Sequence, residues 1–303
     1  MVATLSSSRL QACKFLASCA LLLAVSGWMS AAFADGIVRY PQSTSALPNA
    51  PEYSIELLKL ALKKSGENLT AQAVLTDLNK ARQFNALRDG KLIDVYWGGA
   101  SHEREAILLP VRICIMKGLM GWRIPLMNKA NAALFAETKT LADIKKYSAG
   151  QGYHWTDTQI LMAAGLKVER SYETDNLYKM LKANRFDYFP RSLLEIEYEV
   201  STHGKEELAI DPYVVIHYPS AFYFYVHQTN LALAESIRRG LEVAIKDGSF
   251  DPKFYSFQKV AIQHAKLAGR KVIEIPNPLL PKGAPLARKE LWFSITDLKT
   301  MPD

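Results

Sequence analysis

Hydrophobic and polar positions along this chain switch repeatedly between the period of a strand and that of a helix. GIVRYP, at 36–41, reads as a strand. A loop holding Pro41, Pro48 and Pro51 follows, then SIELLKLALKKSG, whose apolar positions cover one broad helical face. Ser54 is placed to cap that helix, Lys63 and Lys64 suit its last turn, and Gly66 can end it. AQAVLT predicts a second strand, LNKARQFNALRDG a helix ending at Gly90, and KLIDVYW a third strand. This order predicts an α/β layer with a largely parallel sheet. The pattern then restarts, with a short helix in TLADIKKY and a strand end, loop and helix in SAGQGYHWTDTQILMAAG. LKVERS reads as a strand, NLYKMLKANR as a helix and FDYFP as a strand, making a second α/β unit over 128–217. SAFYFYVH is a further strand, followed by helices in LALAESIRRGLEVAIKDG and KFYSFQKVAIQHAKLAG, then the Pro-rich IPNPLLPKGAP.

Residues 1–34 stand outside this pattern. Arg9 and Lys14 precede FLASCALLLAVSGWMSAAFA, which ends in Ala32-Phe33-Ala34. That is the pattern of an export signal cleaved before Asp35. Its apolar core is short for a membrane span. LASC resembles a lipoprotein box but precedes the main apolar run, which argues against lipidation. Cys13 and Cys19 leave with the signal, and Cys114 inside VRICIM reads as a buried small hydrophobe. An exported chain with a single cysteine, and so no internal disulfide, suits a bacterial periplasm. The formal charge is +7, but the basic residues are scattered. A nucleic-acid footprint would be clustered, whereas a mild positive excess favours anionic solutes.

Three stretches carry candidate chemistry. In VYWGGASHEREAILLP a strand meets two glycines and a polar turn holding Ser101, His102, Glu103 and Arg104. No GK[ST] follows the glycines and no HExxH surrounds His102, so neither a Walker-type phosphate cradle nor a metal site is expected. A guanidinium fork here matches a carboxylate. In GQGYHWTDTQ, Thr156 and Gln159 make a capping-box pattern, and a helix start favours anions. Tyr153, His154, Trp155 and Thr156 are candidate contacts there. In NRFDYFPRSLLEIE, Arg191, Ser192 and Glu195 follow a strand. Tyr40 and Trp97 follow strand ends and could stack on a ligand.

ALRDGKLIDVYWGGASHERE, GQGYHWTDTQIL, LKANRFDYF and GLEVAIKDGSF, in this order and spacing, resemble the bacterial extracellular solute-binding proteins. The likeness is to the amino-acid-type (family 3) periplasmic binding proteins of type II fold. It implies two α/β lobes, each a mostly parallel sheet flanked by helices, with a ligand cleft between them and hinge closure through two crossover strands. The implied lobes are 35–127 with 218–303, and 128–217. Arg104 falls where this family grips a ligand carboxylate, and Ser101 can add a hydroxyl. Where the amino-acid binders place an aspartate for the ligand ammonium, this chain has Ser192, counted from Asp187. Arg191 beside it offers a second cation that would suit a dicarboxylate, whereas Glu195 could restore an acid and with it an amino-acid ligand. The resemblance implies a monomeric periplasmic protein that captures a small anionic or amino-acid-like solute for an inner-membrane ABC-type permease. A binding protein serving a sensor is the alternative. A dehydratase or hydrolase on the same fold is a third reading. Glu195 and His154 are its candidate acid–base groups, and no GxSxG, Cys/His pairing or dinucleotide fingerprint supports it. The expectation is therefore a binding protein rather than an enzyme, with no cofactor, no metal and no nucleic-acid partner.

Overall fold

A computed structural model describes residues 36–43, 50–78, 80–299 and 301. The expected export signal lies outside the described residues. Strand β1 (Gly36–Ser43) pairs in parallel with β2 (Leu69–Thr76), connected through helix α1 (Ala50–Lys64). Helix α1 starts ahead of Ser54, which is buried inside it and is not its cap. After α2 (Lys80–Arg88) comes β3 (Val95–Gly99). Asp94, at its threshold, accepts from the Arg39 amide at 2.8 Å and from its guanidinium at 2.8 and 2.7 Å, so β3 is tied to β1. Helix α3 (His102–Ile107) leads into β4 (Leu108–Val111). Strand β11 (Phe222–His227) lies between β3 and β4, antiparallel to both.

A second sheet has the order β12 (Lys271–Glu274), β10 (Val214–His217), β5 (Trp122–Asn128), β8 (Phe189–Ser192), and β9 (Leu208–Ile210) also pairs with β5. Strands β6 (Ser148–Gly152) and β7 (Lys167–Ser171) pair in parallel, and a parallel bridge from Ala149 to Tyr188 links them to the start of β8. Helices α4 (Leu141–Ile144), α5 (Thr156–Ala163), α6 (Thr174–Lys182) and α7 (Ile196–His203) are interleaved with these strands. Helices α8 (Leu231–Lys246) and α9 (Phe250–His264) return to pack on α1.

The α/β class matches the expectation, but the sheets are mixed rather than mostly parallel. Among the described residues three ladders are parallel and five antiparallel. The reason is topological: chain returning from the second sheet enters the first between β3 and β4, and β5 lies antiparallel to its neighbours β10, β8 and β9. Strands β5 and β12 also depart from the expected lobe boundaries, because both belong to the second sheet while 122–127 and 271–274 fall within the expected first lobe. The FDYFP strand is shifted to Phe189–Ser192.

Alternation places the core on both faces of the second sheet. Val215 faces the larger core with Ile124 and Phe189, while Val214 and Ile216 face a smaller one with Tyr188 and Ile273. Cys114 is fully buried, and burial pushes its thiol up to about 11, so it stays a protonated hydrophobe. Among the described residues no helix is long and apolar enough to cross a membrane.

Asp211, fully buried ahead of β10, accepts from the amides of Val214 at 2.6 Å and Tyr213 at 3.0 Å. Burial nevertheless pushes its carboxyl up to about 6. The folded value lies above the ordinary aspartate value of about 4. This group therefore favours the fold fully below about pH 4 and loses that contribution as pH rises through about 6. Chemical denaturation between these pH values should show falling stability in the native sequence and a flatter profile in Asp211→Asn. Identical profiles would show that another group sets the slope.

Candidate functional site

The first candidate stretch forms a strand end and a capped turn. Ser101 caps α3, its hydroxyl accepting from the Arg104 amide at 3.2 Å. This cap turns the Arg104 side chain back along the strand, and its guanidinium donates to the Gly99 carbonyl. A Cβ at Gly98 or Gly99 would stand 3.8 or 3.5 Å from the Arg104 Nη1. The guanidinium thus lies in van der Waals reach of the two bare glycines. Phe84 lies 5.9 Å from it, and the Tyr225 hydroxyl donates to the same Gly99 carbonyl at 3.4 Å. Neighbouring Glu105 is taken by Arg112 at 2.5 Å. Among the described residues no carboxylate lies within ion-pair distance of half-buried Arg104, so its positive charge is held in place but not balanced. His102 is exposed on α3. Trp97 is half-buried, edge-on to Phe224 at 6.4 Å, and its ring is 6.4 Å from that of the buried Tyr40.

The second and third stretches meet at the carboxyl ends of β6, β7 and β8, the edge where open α/β sheets bind ligands. Tyr153 follows β6 and Tyr172 follows β7. Their rings stack at 4.4 Å, although Tyr172 is 70% exposed. His154 packs on both, and the Arg170 guanidinium lies 4.5 Å from the Tyr153 centroid. Trp155 turns inward and stacks on Phe189. The Thr156–Gln159 capping box is not formed: Trp155 occupies the N-cap, without a side-chain cap, and Thr156 is already in α5. Instead the Thr158 hydroxyl donates to the Gly152 carbonyl at 2.6 Å.

Arg191 is buried, with its guanidinium 4.9 Å from the Trp155 centroid and 4.6 Å from that of Phe189. Its Nε donates to Glu199 at 2.6 Å, and its Nη2 donates to Glu199 and, at 3.3 Å, to Glu195. Burial opposes the charge, but the hydrogen bonds and attraction to Glu199 prevail and raise the pKa. Arg191 is therefore not the free second cation expected at this edge. Ser192 is fully buried, its hydroxyl accepting from the Leu194 amide at 3.3 Å. The Glu195 side chain is 41% exposed.

Beneath this edge lies a group that sequence reasoning missed. Arg123 on β5 donates through Nη2 to Asp157 at 2.5 Å and through Nε to the Tyr218 hydroxyl at 2.9 Å, and that hydroxyl donates to Asp157. Burial opposes the Arg123 charge, and Asp157 and Tyr218 outweigh it and raise the pKa. An arginine inside the apolar run GLMGWRIPLM was the available signal. Arg123 and Arg191 thus supply two positive charges against three carboxylates, Asp157, Glu195 and Glu199. Arg170, against Tyr153, adds a third positive charge at the same edge, and Glu195 is the carboxylate left half-exposed. Among the described residues no group of three or more His, Cys, Asp or Glu could hold a metal ion.

The chain is similar in structure to solved binding proteins. An ancestral arginine-binding protein bound to arginine matches with a TM-score of 0.51 and 20% identity, over 73% of this chain and 98% of that one. A probable amino-acid ABC transporter extracellular-binding protein, ytmK of Bacillus subtilis, matches with a TM-score of 0.54 and 15% identity, over 73% and 97%. A structure from work on glutathione import via GshT and the cystine ABC importer TcyBC of Streptococcus mutans matches with 0.51 and 15%, over 74% and 95%. No protein-family model matches this chain, and no curated protein matches it in sequence. The fold is thus the two-lobed type II periplasmic binding-protein fold.

Removing the Arg191 guanidinium would leave Glu199 largely buried and unpaired. Arg191→Ala should cost about 3–5 kcal/mol in urea denaturation, and Arg191→Met with Glu199→Leu far less. Equal losses in both would show that the ion pair is not what fills this edge.

Proposed function

We propose that this protein is a periplasmic solute-binding protein that captures a zwitterionic, amino-acid-like solute by hinge closure and delivers it to an inner-membrane ABC-type permease. The observation that carries this reading is the distribution of charge. Arg104 keeps an unbalanced guanidinium at one strand end, while at the other candidate edge Asp157 and Glu199 are taken by Arg123 and Arg191 and Glu195 is left half-exposed. An α-carboxylate suits the first and an α-ammonium the second. Glu195, half-exposed and held by Arg191 at only 3.3 Å, is our candidate for the ammonium. With Arg191 occupied by Glu199, a dicarboxylate loses the second cation that favoured it. The uncapped first turn of α5 adds amide donors near the ligand. Trp97, Tyr153, His154 and Trp155 are proposed as the apolar walls, with Ser101, Tyr40, Thr156 and Ser192 supporting them. We place the passages between lobes at 112–121, joining β4 to β5, and 218–221, joining β10 to β11. Amino-acid binding proteins on the same fold, and the leader pattern, support export and transport. Binding alone accounts for these groups without a catalytic step.

Thermal shift of the chain from Asp35 onward should show stabilisation by L-amino acids and not by succinate or malate. A ligand at 100 times its dissociation constant adds about 2.7 kcal/mol. Arg104→Ala should lose about 2–5 kcal/mol of binding. Glu195→Gln should weaken an amino acid while leaving its des-amino analogue unchanged. Stabilisation by dicarboxylates alone would overturn the zwitterion reading, and unaltered affinity in Arg104→Ala would overturn the clamp.

A further inference from the structure

Two lobes hinged by two passages are free to rotate unless something else joins them. Here the chain beyond α9 joins them twice more. Helix α9 packs on α1, and the chain then enters the second sheet as β12, parallel to β10. After β12 it travels back, and at Arg288 it forks onto Glu242 of α8 at 2.6 and 2.9 Å.

On the way this returning segment, 275–299, touches both primary passages. The Ile275 amide donates to the His217 carbonyl at 2.9 Å, and the Asn277 side chain donates to the Pro219 carbonyl at 2.8 Å. At its far end the Phe293 amide donates to the Lys117 carbonyl at 2.7 Å, and the Phe293 ring meets Trp122 edge-on at 5.9 Å. Trp292 covers Gly118, whose φ is +73°, so closely that a Cβ there would stand 2.7 Å from the indole. The two passages already lie against each other: a Cβ at Gly121 would stand 1.9 Å from the Tyr218 carbonyl oxygen. Lys117, itself at a positive φ and buried, is pinned to Asp251 of α9 at 2.7 Å.

This contact is not packed solid. A pocket of about 340 Å³, open to solvent, lies between the returning segment, α9 and the first passage, lined by Lys117, Asp251, Tyr255, Lys289, Glu290 and Trp292 among others. A polar, solvent-open pocket beside a hinge lets side chains shift without opening an apolar core to water.

We propose that the segment 275–299 is a strap that couples the two passages and restricts rotation of the lobes. Its Trp292 and Phe293 are positioning residues that act through the backbone of 117–122. The contacts themselves are independent of ligand. Their bearing on solute capture rests on the binding reading above.

The test is a spin-label distance measurement on the ligand-free protein. Val243→Cys on α8 and Tyr198→Cys on α7 place one label near each sheet, at exposed positions. Arg288→Ala frees the middle of the strap without making a core cavity, and Trp292→Ala frees its far end. Each should broaden the inter-label distance distribution about twofold as more conformers become populated, and Trp292→Phe should restore the native width. Should Trp292→Ala fail to fold, Arg288→Ala alone decides. Unchanged width in Arg288→Ala would overturn the strap. Because no ligand is used, that outcome is separate from a failure of the binding reading.

Discussion

Two guanidinium groups are buried at one end of the second sheet, and each must be neutralised where it sits. A buried ion costs several kcal/mol to desolvate unless a partner is fixed beside it. Strands β5 and β8 are antiparallel neighbours in which Arg123 faces Ser192 and Ile124 faces Arg191. Directly opposed residues share a face of the sheet, so the two arginines project to opposite faces and each has its own close carboxylate, Asp157 for Arg123 and Glu199 for Arg191. Asp157 comes from the first turn of α5 and Glu199 from α7, the helices that follow β6 and β8. These ion pairs therefore fix where two connecting segments leave the sheet. The loop 153–155, with Tyr153 and His154 exposed and Trp155 turned inward, leads from β6 into α5.

Arg104 shows the opposite solution. It stays at the surface, where water shares the cost of its charge, and one N–H is spent on the Gly99 carbonyl to hold the fork in position. A guanidinium restrained in this way loses little further freedom when it meets a carboxylate. On the binding reading proposed above, Arg104 at one strand end and half-exposed Glu195 at the other candidate edge give a zwitterion a preferred orientation. Neither charge alone would discriminate an amino acid from a simple anion or a simple amine.

Much of the fold was legible because its periods are strong. The α5, α6, α8 and α9 helices and the β1, β2, β7 and β11 strands fall close to where polar alternation and turn residues placed them. Strand direction was not legible, since an apolar run reads the same when β5 lies antiparallel or parallel to its neighbour. Strands β5, β10 and β12 are short or buried on both faces and carry no alternation to read. Among the proposed site residues, Arg104 and Glu195 could be picked out by type and position. The partners of Arg191 could not: Glu199 lies one helical turn beyond Glu195, and only the fold decides which acid reaches inward. The triad of Arg123, Asp157 and Tyr218 joins residues 95 positions apart at its extremes, a contact that local sequence does not encode.

The solved binding proteins are matched over nearly their whole length, yet they account for about three quarters of this chain. A fold shared at 15–20% identity leaves ligand choice to side chains on loops and strand ends. In a hinged binder, affinity equals intrinsic affinity reduced by the fraction of molecules that are competent to bind. Any connection that narrows lobe rotation changes that fraction without touching the ligand. Buried ion pairs that hold one edge rigid and a C-terminal segment that ties both passages act on the same quantity. On the readings proposed above, the first sets the geometry of the groups offered to a ligand and the second sets how often they come together.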